Sequence, residues 1–145
     1  MSFSIARQSD GLFTEIQDEI GVTATGSFRS IIPLHWNQDG VLDLLITDVD
    51  QAPLLYVSNN CTENNYISFT GKEGTKVRFK AGGESFVGEL HTGSSFGASQ
   101  EPLLHFGLGS VEIIEDLEIQ YRGQDWMTFA STVNVPQRYN LNTTQ

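Results

Sequence analysis

Apolar and polar positions alternate along much of this chain, and the apolar runs are short. Thr75 to Lys80 alternates strictly, with Val77 and Phe79 on one side and Lys76, Arg78 and Lys80 on the other. That is the period of a half-buried strand. Ile113 to Tyr121 repeats it, with Leu117, Ile119 and Tyr121 facing one way and Glu118 and Gln120 the other. Between them, Ala81-Gly82-Gly83-Glu84 is a hairpin signal that leads into a strand over Ser85–Leu90. Ser27–Leu34, Leu42–Thr47, Leu54–Ser58, Tyr66–Thr70, Leu103–Phe106 and Trp126–Val135 read as further strands, followed by Tyr139 and Leu141. One segment has a different period. Leu12, Ile16 and Ile20 recur every four residues, with Phe13 beside them and Gly21 after them. This spacing predicts one short helix over Leu12–Ile20.

The sum is an all-β protein. Short strands at this spacing, punctuated by 14 glycines, suggest a β-sandwich or barrel, and a small sandwich is the reading adopted. Asn59 to Asn65 is a polar break that divides the chain into residues 10–60 and 64–143. The first part reads as a β-meander carrying the short helix, and the second as the sandwich.

Charge narrows the choice of partners. Eighteen acidic residues against eight basic ones give a net charge of −10. Nucleic acid and anionic membrane surfaces both need a basic face, so neither is expected here. Apolar residues make up 39%, including nine Phe, which is enough to fill a core. A single cysteine excludes an internal disulfide framework and a cysteine-built zinc site. Met1 to Asp10 lacks the apolar run of a signal peptide, and no later segment approaches a membrane span. Asn60-Cys61-Thr62 and Asn142-Thr143-Thr144 fit the glycosylation triplet, which matters only on a eukaryotic secretory route.

The loop from His35 to Asp43 has the residue types of a turn wrapped around calcium. Calcium takes about six to eight oxygen ligands. Asn37, Asp39 and Asp43 offer side-chain oxygens and Val41 its carbonyl, with Gly40 for the tight turn. The first position is His35, whose nitrogen suits calcium poorly. The same residues also make an ordinary turn between two strands, so a weak or vestigial calcium loop is the expectation.

Gly93-Ser94-Ser95-Phe96-Gly97 fits the G-x-S-x-G pattern of a nucleophile elbow. That motif works at a strand–turn–helix corner, and nothing after Gly97 reads as helix. A serine hydrolase using Ser95 with His91 or His105 is the alternative from the catalytic class. His105 lies inside an apolar strand and reads as a packed histidine, and His91 sits at a strand end. Lys72, Lys76, Arg78 and Lys80 form a basic stripe, and Glu112, Glu115, Asp116 and Glu118 an acidic one. Each reads as a solvated face. Trp36, Trp126 and Tyr121 raise a third reading, carbohydrate binding on aromatic platforms, although large aromatics in a sandwich are usually core.

Several segments together carry a family resemblance. They are Gly74 to Gly83, Glu89 to Ser94, His105-Phe-Gly-Leu-Gly109 and Ile114-Glu-Asp-Leu-Glu-Ile-Gln-Tyr121, closed by Asn134 to Leu141. Over residues 64–143 this pattern resembles the ASPIC/UnbV domain of cartilage acidic protein and its bacterial relatives. Phe13 to Val22, Asp39 to Thr47 and Leu54 to Asn59 are similar to one FG-GAP blade, the propeller unit that precedes that domain. A propeller needs several blades, and only one is seen here. The resemblance implies non-catalytic work: calcium in propeller loops, adhesion or matrix contacts, and an extracellular or surface location if the chain is part of a longer protein. A lone blade leaves strand edges without a neighbour, which favours self-association or a protein partner.

Overall fold

The computed structural model describes residues 5–9, 11–59, 64–93 and 98–142. Twelve strands follow one another: β1 (Ala6–Ser9), β2 (Leu12–Glu15), β3 (Phe28–Leu34), β4 (Asp43–Asp48), β5 (Leu54–Tyr56), β6 (Asn65–Thr70), β7 (Lys76–Ala81), β8 (Glu84–Glu89), β9 (Leu103–Gly109), β10 (Ile113–Gln120), β11 (Met127–Asn134) and β12 (Gln137–Asn140). They form four sheets, in the orders β1-β2, β3-β4-β5, β12-β6-β9 and β11-β10-β7-β8. The all-β expectation holds, and the last two sheets make a sandwich.

Alternation is what closes that sandwich. Val77 and Phe79 of β7 point inward and are buried, as are Ile114, Leu117 and Ile119 of β10. They meet Ile67 and Phe69 of β6 and Leu108 of β9 from the facing sheet. Phe79 stacks on Phe86 at 5.1 Å and meets the edge of Phe106 at 5.1 Å. The β7–β8 hairpin turns through Gly82 and Gly83 at φ +59° and +84°, with Ala81 paired to Glu84. Two successive positive φ values define the tight turn that matches strand twist, and glycine adopts them without steric cost.

Strand β10 breaks strict alternation. Ile114 and Leu117 are both fully buried although three positions apart. Asp116 makes this possible by taking φ +52° at a bulge, where the register of β10 against β7 shifts.

A second, smaller cluster lies under the β3-β4-β5 sheet. Val22, Phe28 and Ile46 are buried there, flanked by Ile5, Ala24, Ile31, Leu44 and Tyr56. Ser30 and Thr47 join β3 to β4 through a 2.6 Å hydroxyl pair.

The predicted helix is absent. Leu12–Glu15 is strand β2, paired antiparallel with β1 from Ser9↔Leu12 to Ala6↔Glu15. Gly11 at φ +77° turns the chain there. The Ile20 amide does bond the Ile16 carbonyl at 3.0 Å, but one turn is all that forms. Leu12 and Phe13 are 71% and 74% exposed. Their spacing never served a buried helix face, and that is why the period misled.

Candidate functional site

The loop between β3 and β4 is held from both ends by Asp43. This carboxylate is fully buried. Its Oδ2 accepts the Trp36 amide at 2.8 Å and its Oδ1 accepts the Ser58 amide at 2.9 Å. Ser58 Oγ then donates to the Leu42 carbonyl at 2.6 Å, tying the end of β5 to the loop. Two amide donors stabilise a buried carboxylate that would otherwise be costly.

At the tip, Asn37 and Asp39 bond each other. Asn37 Nδ2 donates to Asp39 Oδ2 at 2.7 Å, and the Asp39 amide returns a 3.2 Å bond to Asn37 Oδ1. Asp39 Oδ1 accepts the Val41 amide at 2.9 Å. That backbone bond and the Asn37 amide hold the Asp39 carboxyl below its ordinary pKa. The Val41 carbonyl faces His35 Nδ1 at 3.2 Å. The four expected metal-binding residues thus share one loop, but their oxygens serve hydrogen bonds inside it. Asp43 is turned onto the Trp36 and Ser58 amides, leaving Asn37 and Asp39 as the exposed side-chain donors. Two such donors fall well short of the set calcium prefers, so this arrangement does not fit the ion as it stands.

The loop presses on the β12-β6-β9 sheet. Gly40, buried at φ +94°, lies so close to Tyr66 that a Cβ would overlap its ring. Tyr66 stacks on His105 at 5.3 Å, and His105 meets His35 at 5.2 Å with the rings tilted by 55°. Three buried polar atoms here have no hydrogen-bond partner: His35 Nε2, Ser68 Oγ and His105 Nδ1. Burial, and then the neighbouring His35, push the His105 pKa down to about 4. His105 is thus a packed histidine as expected, but its packing partner, His35, was not visible in the sequence.

Residues 71–145 match the family model described as ASPIC and UnbV. The chain belongs to the ASPIC and UnbV family. No curated protein and no solved structure matches the chain. Within the described residues, the matched region runs from the end of β6 to Asn142 and supplies most of the sandwich core.

On the outer face of this ASPIC and UnbV region, the two charge stripes meet. Arg78 Nε donates to Glu118 Oε2 at 2.6 Å and Lys80 Nζ to Asp116 Oδ2 at 2.8 Å, while Lys76 lies 3.8 Å from Glu89. The Arg78 bond lowers the Glu118 pKa, and each cation's hydrogen bond to its carboxylate raises the pKa of Arg78 and Lys80. Both readings as solvated faces hold, but they are one face, because β7 and β10 are neighbours. Arg78 also caps the Trp126 ring at 4.3 Å.

The remaining expected residues do not converge. Trp36 is exposed on the loop, Trp126 lies under Arg78, and Tyr121 packs against the sandwich core. His91 is exposed and its Nδ1 faces the Glu89 carbonyl at 3.1 Å. Ser95, the Asn60 triplet and Cys61 lie outside the described residues. Among the described residues no group of three or more His, Cys, Asp or Glu is placed to hold a metal.

Proposed function

We propose that this chain is a non-catalytic interaction module that associates through its β3-β4-β5 sheet with a second copy of itself. One observation carries this reading. Among the described residues, eight of the twelve large apolar side chains that stand exposed belong to the first sixty positions: Leu12, Phe13, Ile20, Trp36, Val49, Leu54, Leu55 and Val57. The core cluster of this segment buries Val22, Phe28 and Ile46 among the described residues. So thin a core with so much apolar surface around it is how an interaction face differs from a finished one. Strand β5 is the edge of that sheet, and it is apolar throughout. An uncharged edge next to apolar side chains invites pairing. The similarity of this segment to an FG-GAP blade supports the same conclusion, since blades bury their faces on neighbours. The His35–Asp43 loop then acts as a vestigial calcium loop, keeping its shape through internal hydrogen bonds. Contact with other proteins, in an adhesion-type role, is the activity this surface serves.

Sedimentation velocity on the intact chain and on a Leu55→Lys/Val57→Lys variant tests the reading. A dimer that becomes monomeric in the variant, with an unchanged circular dichroism spectrum, is the expected result. A monomeric wild type at tens of micromolar would refute self-association through this face.

A further inference from the structure

We propose that His35 Nε2 and His105 Nδ1 form a binding site for a divalent transition-metal ion, in the seam where the β3–β4 loop meets the β12-β6-β9 sheet. The two nitrogens are buried and neither has a hydrogen-bond partner. Buried polar atoms are almost always satisfied, so two unpartnered nitrogens on neighbouring rings call for a guest. Ser68 Oγ is the third unpartnered atom. Ser68 is fully buried and sits directly opposite His105 in the β6–β9 register, which puts both side chains on one face of the sheet.

The chemistry of the histidines fits a borderline ion. With its proton on Nδ1, His35 donates to the Val41 carbonyl at 3.2 Å and leaves Nε2 as a lone pair. A ring nitrogen anchored on a backbone carbonyl is the usual support of a metal-binding histidine. Its neighbour is held neutral at physiological pH by burial, and only neutral imidazole binds metal. The distance fits as well. Two imidazoles at a zinc–nitrogen distance of about 2.0–2.1 Å and a tetrahedral angle place their ring centres roughly 5 Å apart. The rings of His35 and His105 are 5.2 Å apart. A cavity of about 150 Å³, bounded by Asp39, Gly40, Asn65, Tyr66 and Gly107, opens onto His105. Zinc, nickel and copper are the ions imidazole suits, and calcium is not. The histidine that spoils the calcium pattern thereby becomes the first ligand of a different metal. With two protein nitrogens, water supplies the rest of the shell, so binding is weaker than at a closed structural zinc site.

Zinc titration of the metal-free chain by calorimetry, with calcium present as a competitor, tests the site. One zinc per chain is expected, undisturbed by calcium. His35→Phe and His105→Phe should each weaken binding by more than about tenfold, since losing even a supporting contact to a ligand costs about 10–100-fold. His91→Ala should change nothing. Absence of zinc uptake would overturn the proposal and leave a buried water to answer the three atoms, as would binding that survives both phenylalanine variants or vanishes with His91→Ala. Cobalt added to the wild type guards against a variant that fails to fold. Selective broadening of the His35 and His105 ring signals in nitrogen-15 spectra supports the site, and broadening confined to His91 overturns it.

Discussion

Gly40 and Tyr66 fix how closely the β3–β4 loop can approach the sandwich. At φ +94° Gly40 occupies the region L side chains avoid, and its missing Cβ is the space the tyrosine ring fills. Gly40→Ala therefore combines two costs. A left-handed backbone costs a non-glycine residue about 1–2 kcal/mol, and overpacking about 1–3 kcal/mol. Urea denaturation should show a loss of about 2–5 kcal/mol. Gly123→Ala is the control. Gly123 sits at φ +79° with nothing near its Cβ position, so only the backbone cost applies, about 1–2 kcal/mol.

Asp43 predicts how the loop responds to mutation and to metal. Asp43→Ala leaves the Trp36 and Ser58 amides without acceptors. At about 1–3 kcal/mol for each of the two unsatisfied groups, a loss of roughly 2–6 kcal/mol is expected. Asp39→Ala removes an exposed carboxylate and should cost well under half as much. Thermal melts of the wild type with calcium and with excess chelator should coincide, because the loop closes on its own hydrogen bonds. A calcium-dependent rise in Tm that disappears in Asp39→Ala would establish an ion at the loop.

Burial of His105, with His35 beside it, makes stability depend on pH. The unfolded chain takes up a proton on His105 near the ordinary value of 6.5, while the folded chain resists until about 4. Between these values the unfolded state binds more protons, so stability falls as pH falls from 6.5 to 4 and is fully present above 6.5. The ring is only partly buried, so solvent screening reduces the effect to about 1–2 kcal/mol. Denaturation in chelator from pH 7 to 4.5 should show this slope, and His105→Phe should flatten it. An unchanged slope in that variant would assign the acid sensitivity elsewhere.

Local chemistry was legible in the sequence and long-range contact was not. Val77 and Phe79 announce their strand by alternation, and Gly82-Gly83 announces its turn. The β10 bulge is invisible, because a left-handed Asp116 leaves no mark on the hydrophobic pattern beyond the awkward spacing of Ile114 and Leu117. The four-residue spacing of Leu12, Ile16 and Ile20 pointed to a helix because periodicity assumes that apolar residues are buried, and here Leu12 and Phe13 face solvent. His35 and His105 were each read alone. Nothing in a linear pattern says that the β3–β4 loop folds onto β9, so their contact and their unpartnered nitrogens emerge only from tertiary structure. The two charge stripes were also read singly, and became ion pairs once β7 and β10 proved to be neighbours.

Asp116 separates what its backbone does from what its carboxylate does. Its φ of +52° sets the bulge that lets both Ile114 and Leu117 reach the core, and its carboxylate meets Lys80 on the surface. Exposed ion pairs contribute little, whereas a β-branched residue forced into left-handed geometry is strained. Asp116→Val should therefore destabilise the chain by about 1–2 kcal/mol or more. Asp116→Gly, which keeps the geometry and loses the carboxylate, should stay within about 0.5 kcal/mol of wild type. Lys80→Ala, which removes the other half of the pair, should match it. If Gly and Val variants lose the same stability, the ion pair rather than the bulge holds β10 in register. That result would give the Lys80 pair the larger share of stability, because the register of β10 is what carries Leu117 and Ile119 into the sandwich.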